Sequence, residues 1–164
     1  MTVGIRLPRA TEKQDMFNVS DFERFVQVAG DAIIAVGTNG EITLWNPAAE
    51  RIFGYSNDEA LGKSLDLIIP ERFRERHWQG FREVAQSGQT KYGADVLRVP
   101  ALHKNGRPLS IAFTVALLGY EGCVDSIFAI VRDDTQRWQE ERELRRRLTE
   151  LEQTSAKNRP DNRD

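Results

Sequence analysis

The stretch IIPERFRERHWQGFREVAQSG, residues 68–88, places a histidine in an apolar row. Glu71 suits the positive end of a helix, Pro70 fits just ahead of the first turn, and Gly88 follows the last periodic residue. On that helix Phe73, His77, Phe81 and Val84 fall on one stripe, at spacings of four, four and three. Arg72, Glu75, Arg76, Gln79, Arg82 and Glu83 take the wet side. The lone pair of a neutral imidazole can bind a metal, though the spacing alone does not show that this one does. The alternative is a core histidine bonded to a backbone carbonyl. With no second polar partner in the row, acid–base catalysis has little to work with. No Ser-His-Asp set, paired-carboxylate motif, phosphate loop or HExxH appears in the chain, so a non-enzyme is expected.

The elements that position this helix are legible on both sides of it. Upstream, SDFE (Ser20 to Glu23) reads as a capping box opening a short helix with Phe22, Phe25 and Val26. Two β-type runs then flank Asn39-Gly40, a strong hairpin signal. Asn46-Pro47 reads as an N-cap with proline in the first turn, closed by Gly54, and SNDE (Ser56 to Glu59) as a second capping box ended by Gly62. Downstream, two strands flank Asn105-Gly106. In the second of them Leu109, Ile111, Phe113, Val115 and Leu117 alternate with smaller or polar residues, the mark of an antiparallel strand with one buried face. A fifth strand, Val124 to Arg132, is apolar on both faces, as expected of a central strand covered on its outer side.

After Arg132 the chain turns helical, with Leu144, Leu148 and Leu151 at four-then-three spacing amid charged residues. That pattern fits a short dimerising seam or a solvated amphipathic helix equally. The expected organisation is a flexible 1–19, a folded domain 20–133, a linker helix 134–153 and a disordered tail 154–164. The fold class is α+β: a five-stranded antiparallel sheet with helices on one face, an N-terminal cap helix and a C-terminal amphipathic helix. Such a sheet turns the His77 stripe toward Leu109, Ile111, Phe113 and Val115, and a ligand pocket belongs between them.

Bulk properties narrow the function. The 164 residues carry a net charge of −2 and 29% charged residues, which gives no reason to expect nucleic-acid binding. The single cysteine, Cys123, excludes an internal disulfide and cannot build a thiolate cluster alone. The longest apolar runs fall far short of the roughly 20 residues of a membrane span, and a cytoplasmic protein is expected. His103, beside a hairpin turn, is expected to be exposed, and Trp78 to pack at the edge of the stripe.

GEITLWNPAAERIFGYSNDEALGKSL resembles the opening half of a PAS domain, and FAIVRDDTQR resembles its closing strand and exit motif. The likeness runs from about Phe22 to Arg137, with Trp45-Asn46, Ala49-Glu50, Phe53-Gly54-Tyr55, Glu59 and Gly62 at the family's positions. Asp134 departs from it, standing where the family usually has an aliphatic residue. The resemblance implies a sensory and dimerisation module of a kind usually attached to kinases, cyclases or transcription factors; none of these is recognisable in the 164 residues, so signalling to a kinase or regulator in trans is expected.

Within it, IPERFRERHWQGF looks like the haem-carrying helix of FixL-type oxygen sensors. This narrower likeness implies haem b with His77 as the axial iron ligand, and a diatomic gas as the signal. Phe113 and Val115 match positions lining the gas side, and Tyr92 matches another. Lys91 keeps a charge compatible with a haem propionate, whereas Glu83, at the second such position, does not. Leu97 stands where that group has an arginine that donates to dioxygen. Phe73 and Phe81, with Phe113 and Val115, would wall a flat porphyrin. The other reading of the same residues is a PAS module that is ligand-free or takes a small organic ligand.

Overall fold

The structure is a computed structural model that describes residues 18–89, 95–120 and 123–157. The order is α1 (Val19–Val28), β1 (Ala32–Gly37), β2 (Ile42–Trp45), α2 (Pro47–Phe53), α3 (Asn57–Ala60), a 3-10 turn (Leu65–Leu67), α4 (Glu71–Ser87), β3 (Leu97–Leu102), β4 (Pro108–Tyr120), β5 (Cys123–Asp133) and α5 (Thr135–Lys157). The strands form one antiparallel sheet in the order β2-β1-β5-β4-β3, so the last strand is the middle one. This is the expected α+β architecture. Lys91, Tyr92 and residues 1–17 and 158–164 lie outside the described residues.

Local chemistry sets the helix ends. Asn46 caps α2 by accepting from Ala49 N, with Pro47 in the first turn and Gly54 left-handed at the C-cap. Ser56 and Glu59 form the expected capping box of α3. At α1 the box is shifted: Asn18 and Asp21 form it, and Ser20 lies inside the helix. Asn and Ser cap about equally well, so two overlapping boxes competed and the earlier one is used. Gly88 ends α4 with φ of 65°.

The core lies on one face of the sheet. Trp45, Ala48, Ala49, Phe53 and Ile68 pack on Ala32, Ile34, Val36, Leu109, Ile111 and Val131. Asn46 is the buried polar residue at its heart, 1% exposed. Its Oδ1 accepts from Ile33 N (2.9 Å) and Ala49 N (3.0 Å), and its Nδ2 donates to Val26 O and Asp31 O, both at 3.1 Å. One side chain thereby ties α1, β1 and α2 together, with every hydrogen-bonding position used.

The outer face differs from expectation. Ile33 and Ala35 of β1 are buried there, but Ile130 of β5 is 54% exposed and Leu118 of β4 is 55% exposed. Among the described residues nothing covers Ile130, whereas Phe128, on the same face of β5, is half-buried. Helix α5 leaves the sheet beside β4, and Leu144, Leu148 and Leu151 are all exposed. No helix among the described residues is long and apolar enough to cross a membrane.

Candidate functional site around His77

Helix α4 crosses the inner side of the sheet, approaching β5. Phe73, His77, Phe81 and Val84 are all half-buried, while Arg72, Glu75, Arg76, Gln79, Arg82 and Glu83 are exposed. The stripe therefore faces inward as its spacing predicts. Phe81 packs against the core, as does Phe113 of β4. The His77 ring lies 6.1 Å from the Phe81 ring, tilted by 33°, and meets Trp78 edge-on at 4.9 Å. Phe73, one turn earlier, lies under the Arg72 guanidinium at 4.7 Å.

The imidazole has an unusual setting. Its Nδ1 is sealed from solvent and has no hydrogen-bond partner among the described residues. The core-histidine arrangement, with that nitrogen bonded to a backbone carbonyl, is therefore not the one adopted. Burial pushes the His77 pKa below its ordinary value, and the negative charge of Asp66 opposes the shift only in part. The ring is neutral at pH 7, with a buried lone pair or N–H left unsatisfied. Leaving such a group unpaired costs about 1–3 kcal/mol, and an orphan of this kind calls for an explanation, such as a partner the chain itself does not supply.

Trp78, expected at the edge of the stripe, packs there against His77, and with Asp66, which no sequence pattern singled out, it fixes the ring's neighbourhood. Trp78 Nε1 donates to Asp66 Oδ1 at 2.8 Å, and Asp66 also pairs with Arg74 at 3.7 Å. The Trp78 ring lies on Gly40, where a Cβ would sit 2.7 Å from it. Gly40 also needs its left-handed φ of 85° in the β1–β2 turn. Trp78 thus clamps the turn to α4 and forms one wall for His77. The only sequence signals were its place beside His77 and an Asn-Gly turn with no stated partner.

The sheet supplies the facing residues in rows. Leu97 of β3 is opposite Phe113 of β4, which is opposite Val131 of β5, and Val131 is opposite Ala32. Directly opposed residues share a face, so Leu97 and Phe113 both stand on the inner side. Val115, opposite Ala129, heads the next row. All three are half-buried. Arg98 is one step along β3 and so belongs to the outer face, where it pairs with Asp134 at 3.3 Å. The inner position therefore has an aliphatic side chain and no donor.

Among the described residues no group of three or more His, Cys, Asp or Glu could hold a metal ion. A bare ion needs several protein ligands, whereas a porphyrin supplies four nitrogens and asks the protein for as few as one. The residues present fit a haem in that sense: one neutral, unpartnered imidazole among aromatic and aliphatic walls. His103 corrects an expectation. It is half-buried rather than exposed, and its ring lies against Gly54, where a Cβ would come within 2.5 Å. An open hollow of about 460 Å³ is lined by Tyr55, Asp66, Leu67, Arg74, Leu102 and Lys104. Cys123 is exposed and free at the start of β5.

Comparison with known proteins agrees with this architecture. The family model described as the PAS fold matches residues 20–134. The oxygen sensor protein DosP of Escherichia coli is 28% identical over 100 residues, which are 61% of this chain and 12% of that protein. The sensor protein FixL of Bradyrhizobium diazoefficiens is 45% identical over 47 residues, 29% of this chain and 9% of that protein. The chain thus spans about an eighth or less of these curated relatives' length. The crystal structure of the PAS domain of a Colwellia psychrerythraea protein superposes with a TM-score of 0.63 at 21% identity, covering 72% of this chain and 98% of that one. With its five-stranded antiparallel sheet, the inserted helices and a family match over most of its length, the chain belongs to the PAS family.

Proposed function

We propose that this PAS domain is a sensor that holds haem b through His77 and answers to a diatomic gas or to the redox state of the iron. The observation that carries the reading is the buried, unpartnered Nδ1 of a neutral imidazole on the inward stripe of α4. Haem would supply a redox-active iron with a coordination position for a gas. Phe73 and Phe81 on the helix, with Phe113 and Val115 on the sheet, would exclude water from its faces. Lys91 would meet a propionate, and Tyr92 would stand at the gas side.

Leu97 sets the selectivity. It offers no hydrogen bond, and dioxygen depends on one more than carbon monoxide or nitric oxide does. The oxygen named for one relative, DosP, is therefore not carried over as the gas this chain prefers. The signal would leave through β5 and α5. Leu144, Leu148 and Leu151 would pair with their counterparts in a homodimer, and a kinase or regulator would read the change.

One observation favours a second reading. Phe81 and Phe113 already pack against the core, which leaves their share of the inner space filled by the chain itself. A ligand-free interaction module would look the same.

Adding haemin to the purified protein separates the two. The first reading expects an intense violet absorption band. His77→Ala should abolish it at unchanged unfolding midpoint, and added imidazole should restore it. A colourless, well-folded protein after haemin addition would select the second reading.

A further inference from the structure

Asp134 stands between β5 and α5, and its surroundings give that charge a task. Its backbone N–H donates to Ser110 O at 2.8 Å, and its carbonyl accepts from Trp138 N at 2.9 Å, so it is the hinge between sheet and helix. Thr135 fastens the same point, its Oγ1 accepting from Ser110 N at 3.0 Å. The Asp134 side chain is only 12% exposed and faces Arg98 Nε at 3.3 Å.

Arg98 stands in a row with Ala112 and Arg132 across β3, β4 and β5. Arg132 makes a bidentate pair with Asp31, ahead of β1, through bonds of 2.9 and 2.6 Å. Asp134 acts electrostatically on Arg132 as well. Charges therefore alternate Arg98, Asp134, Arg132, Asp31 along the outer face, from the edge strand to the start of β1. The two ends differ in what they hold. β1 is hydrogen-bonded on both sides, whereas β3 is an edge strand held by β4 alone.

We infer that the Arg98–Asp134 pair is the coupling between edge strand β3 and the first turn of α5. Leu97 and Arg98 are consecutive and point to opposite faces. A shift of β3 that repositions Leu97 on the inner face must therefore move Arg98 on the outer face, and with it the hinge of α5. This deepens the proposed sensing function by naming its exit route, and it rests on that reading only for what displaces β3. The coupling itself belongs to the protein without haem.

The test is amide hydrogen exchange on the full chain without haem, read at residues 134–139 and across β3. Arg98→Ala and Asp134→Ala should each speed exchange in both segments by about threefold or more. The double substitution should do no more than either single one. The reversed pair, Arg98→Asp with Asp134→Arg, should recover most of the protection. A second arm displaces β3 from the inner side with Leu97→Trp. It should alter exchange in the first turn of α5, and the effect should vanish in the Arg98→Ala background. Additive single effects, no rescue by reversal, or a Leu97→Trp effect that persists without Arg98 would each overturn the inference. A colourless protein that passes these tests would refute the haem reading and leave the coupling standing.

Discussion

Asn46→Ala tests the arrangement on which the inner face depends. Four hydrogen bonds end at once, three of them in buried surroundings. Ile33 N–H and Ala49 N–H lose their acceptor, and Val26 C=O loses its donor. The fourth partner, Asp31 C=O, is half-buried and within reach of water. A buried polar group left unpaired costs about 1–3 kcal/mol, and loss of an N-cap alone costs about 1 kcal/mol. Partial entry of water into the vacated space keeps the sum toward the low end, so the expected loss is about 3–5 kcal/mol. Set against the ~5–15 kcal/mol of a typical domain, that is a large fraction. Urea unfolding followed by tryptophan fluorescence measures it. Asn57→Ala is the control, because Asn57 Nδ2 makes one half-buried bond, to Trp45 O at 2.8 Å, and should cost about 1 kcal/mol. Asn46→Asp keeps both acceptor roles but turns a carboxylate oxygen toward two carbonyls, so it should not rescue the fold at neutral pH. A loss below about 1 kcal/mol for Asn46→Ala would refute the reasoning, since that is the net value of a single ordinary hydrogen bond.

Gly40→Ala should destabilise by about 1–3 kcal/mol, because it combines a left-handed φ of 85° with a Cβ 2.7 Å from the Trp78 ring. A shift in tryptophan emission should accompany it, and an unchanged unfolding midpoint would contradict the clamp. The pH dependence of stability follows from the lowered pKa of His77. Above the unfolded value of about 6.5 both states are neutral and the residue contributes no slope. As pH falls below that, the unfolded chain takes up the proton first and stability drops, levelling off below the folded pKa. His77→Phe should remove this loss between pH 7.5 and 5, so identical slopes for the two proteins in urea titrations would count against a buried neutral ring. Replacing Leu144, Leu148 and Leu151 together by serine should leave the unfolding of the sheet domain unchanged and convert a dimer to a monomer in sedimentation. A wild-type monomer at high micromolar concentration would dispose of the seam.

What the sequence disclosed was whatever one segment decides by itself. The Asn46-Pro47 and SNDE starts, the Gly54 and Gly88 stops, the two Asn-Gly turns and the inward stripe of α4 are all set within a few residues. The α1 cap was misplaced for a local reason too, since Asn18 with Asp21 and Ser20 with Glu23 are two acceptable boxes overlapping by two residues. The outer face was misjudged because its covering is a property of neighbours. Phe128 and Ile130 made β5 look enclosed, yet Ile130 is 54% exposed. The site was legible as His77 and its stripe, but not as the clamp of Trp78 on Gly40 and Asp66. That clamp joins three segments whose separations in the chain carry no periodic signal.

The parity of β3 decides more of the chemistry than any single side chain near His77. At positions 97 and 98 the chain has an aliphatic residue followed by an arginine. Strand geometry allows only one of them to face the site. The register puts Leu97 opposite Phe113 on the inner side, and the pairing with Asp134 holds Arg98 to the outer side. For Arg98 to serve the inner face, the strand would have to slip by one residue. That would turn Ala101, 2% exposed and opposite Leu109, out of the core. The burial of Ala101 and the ion pair to Asp134 thus oppose the slip from both faces. The same strand that gives the inner face no hydrogen-bond donor spends its arginine on the hinge of α5. The apolar character of the inner face and the tie between β3 and α5 are two consequences of one register.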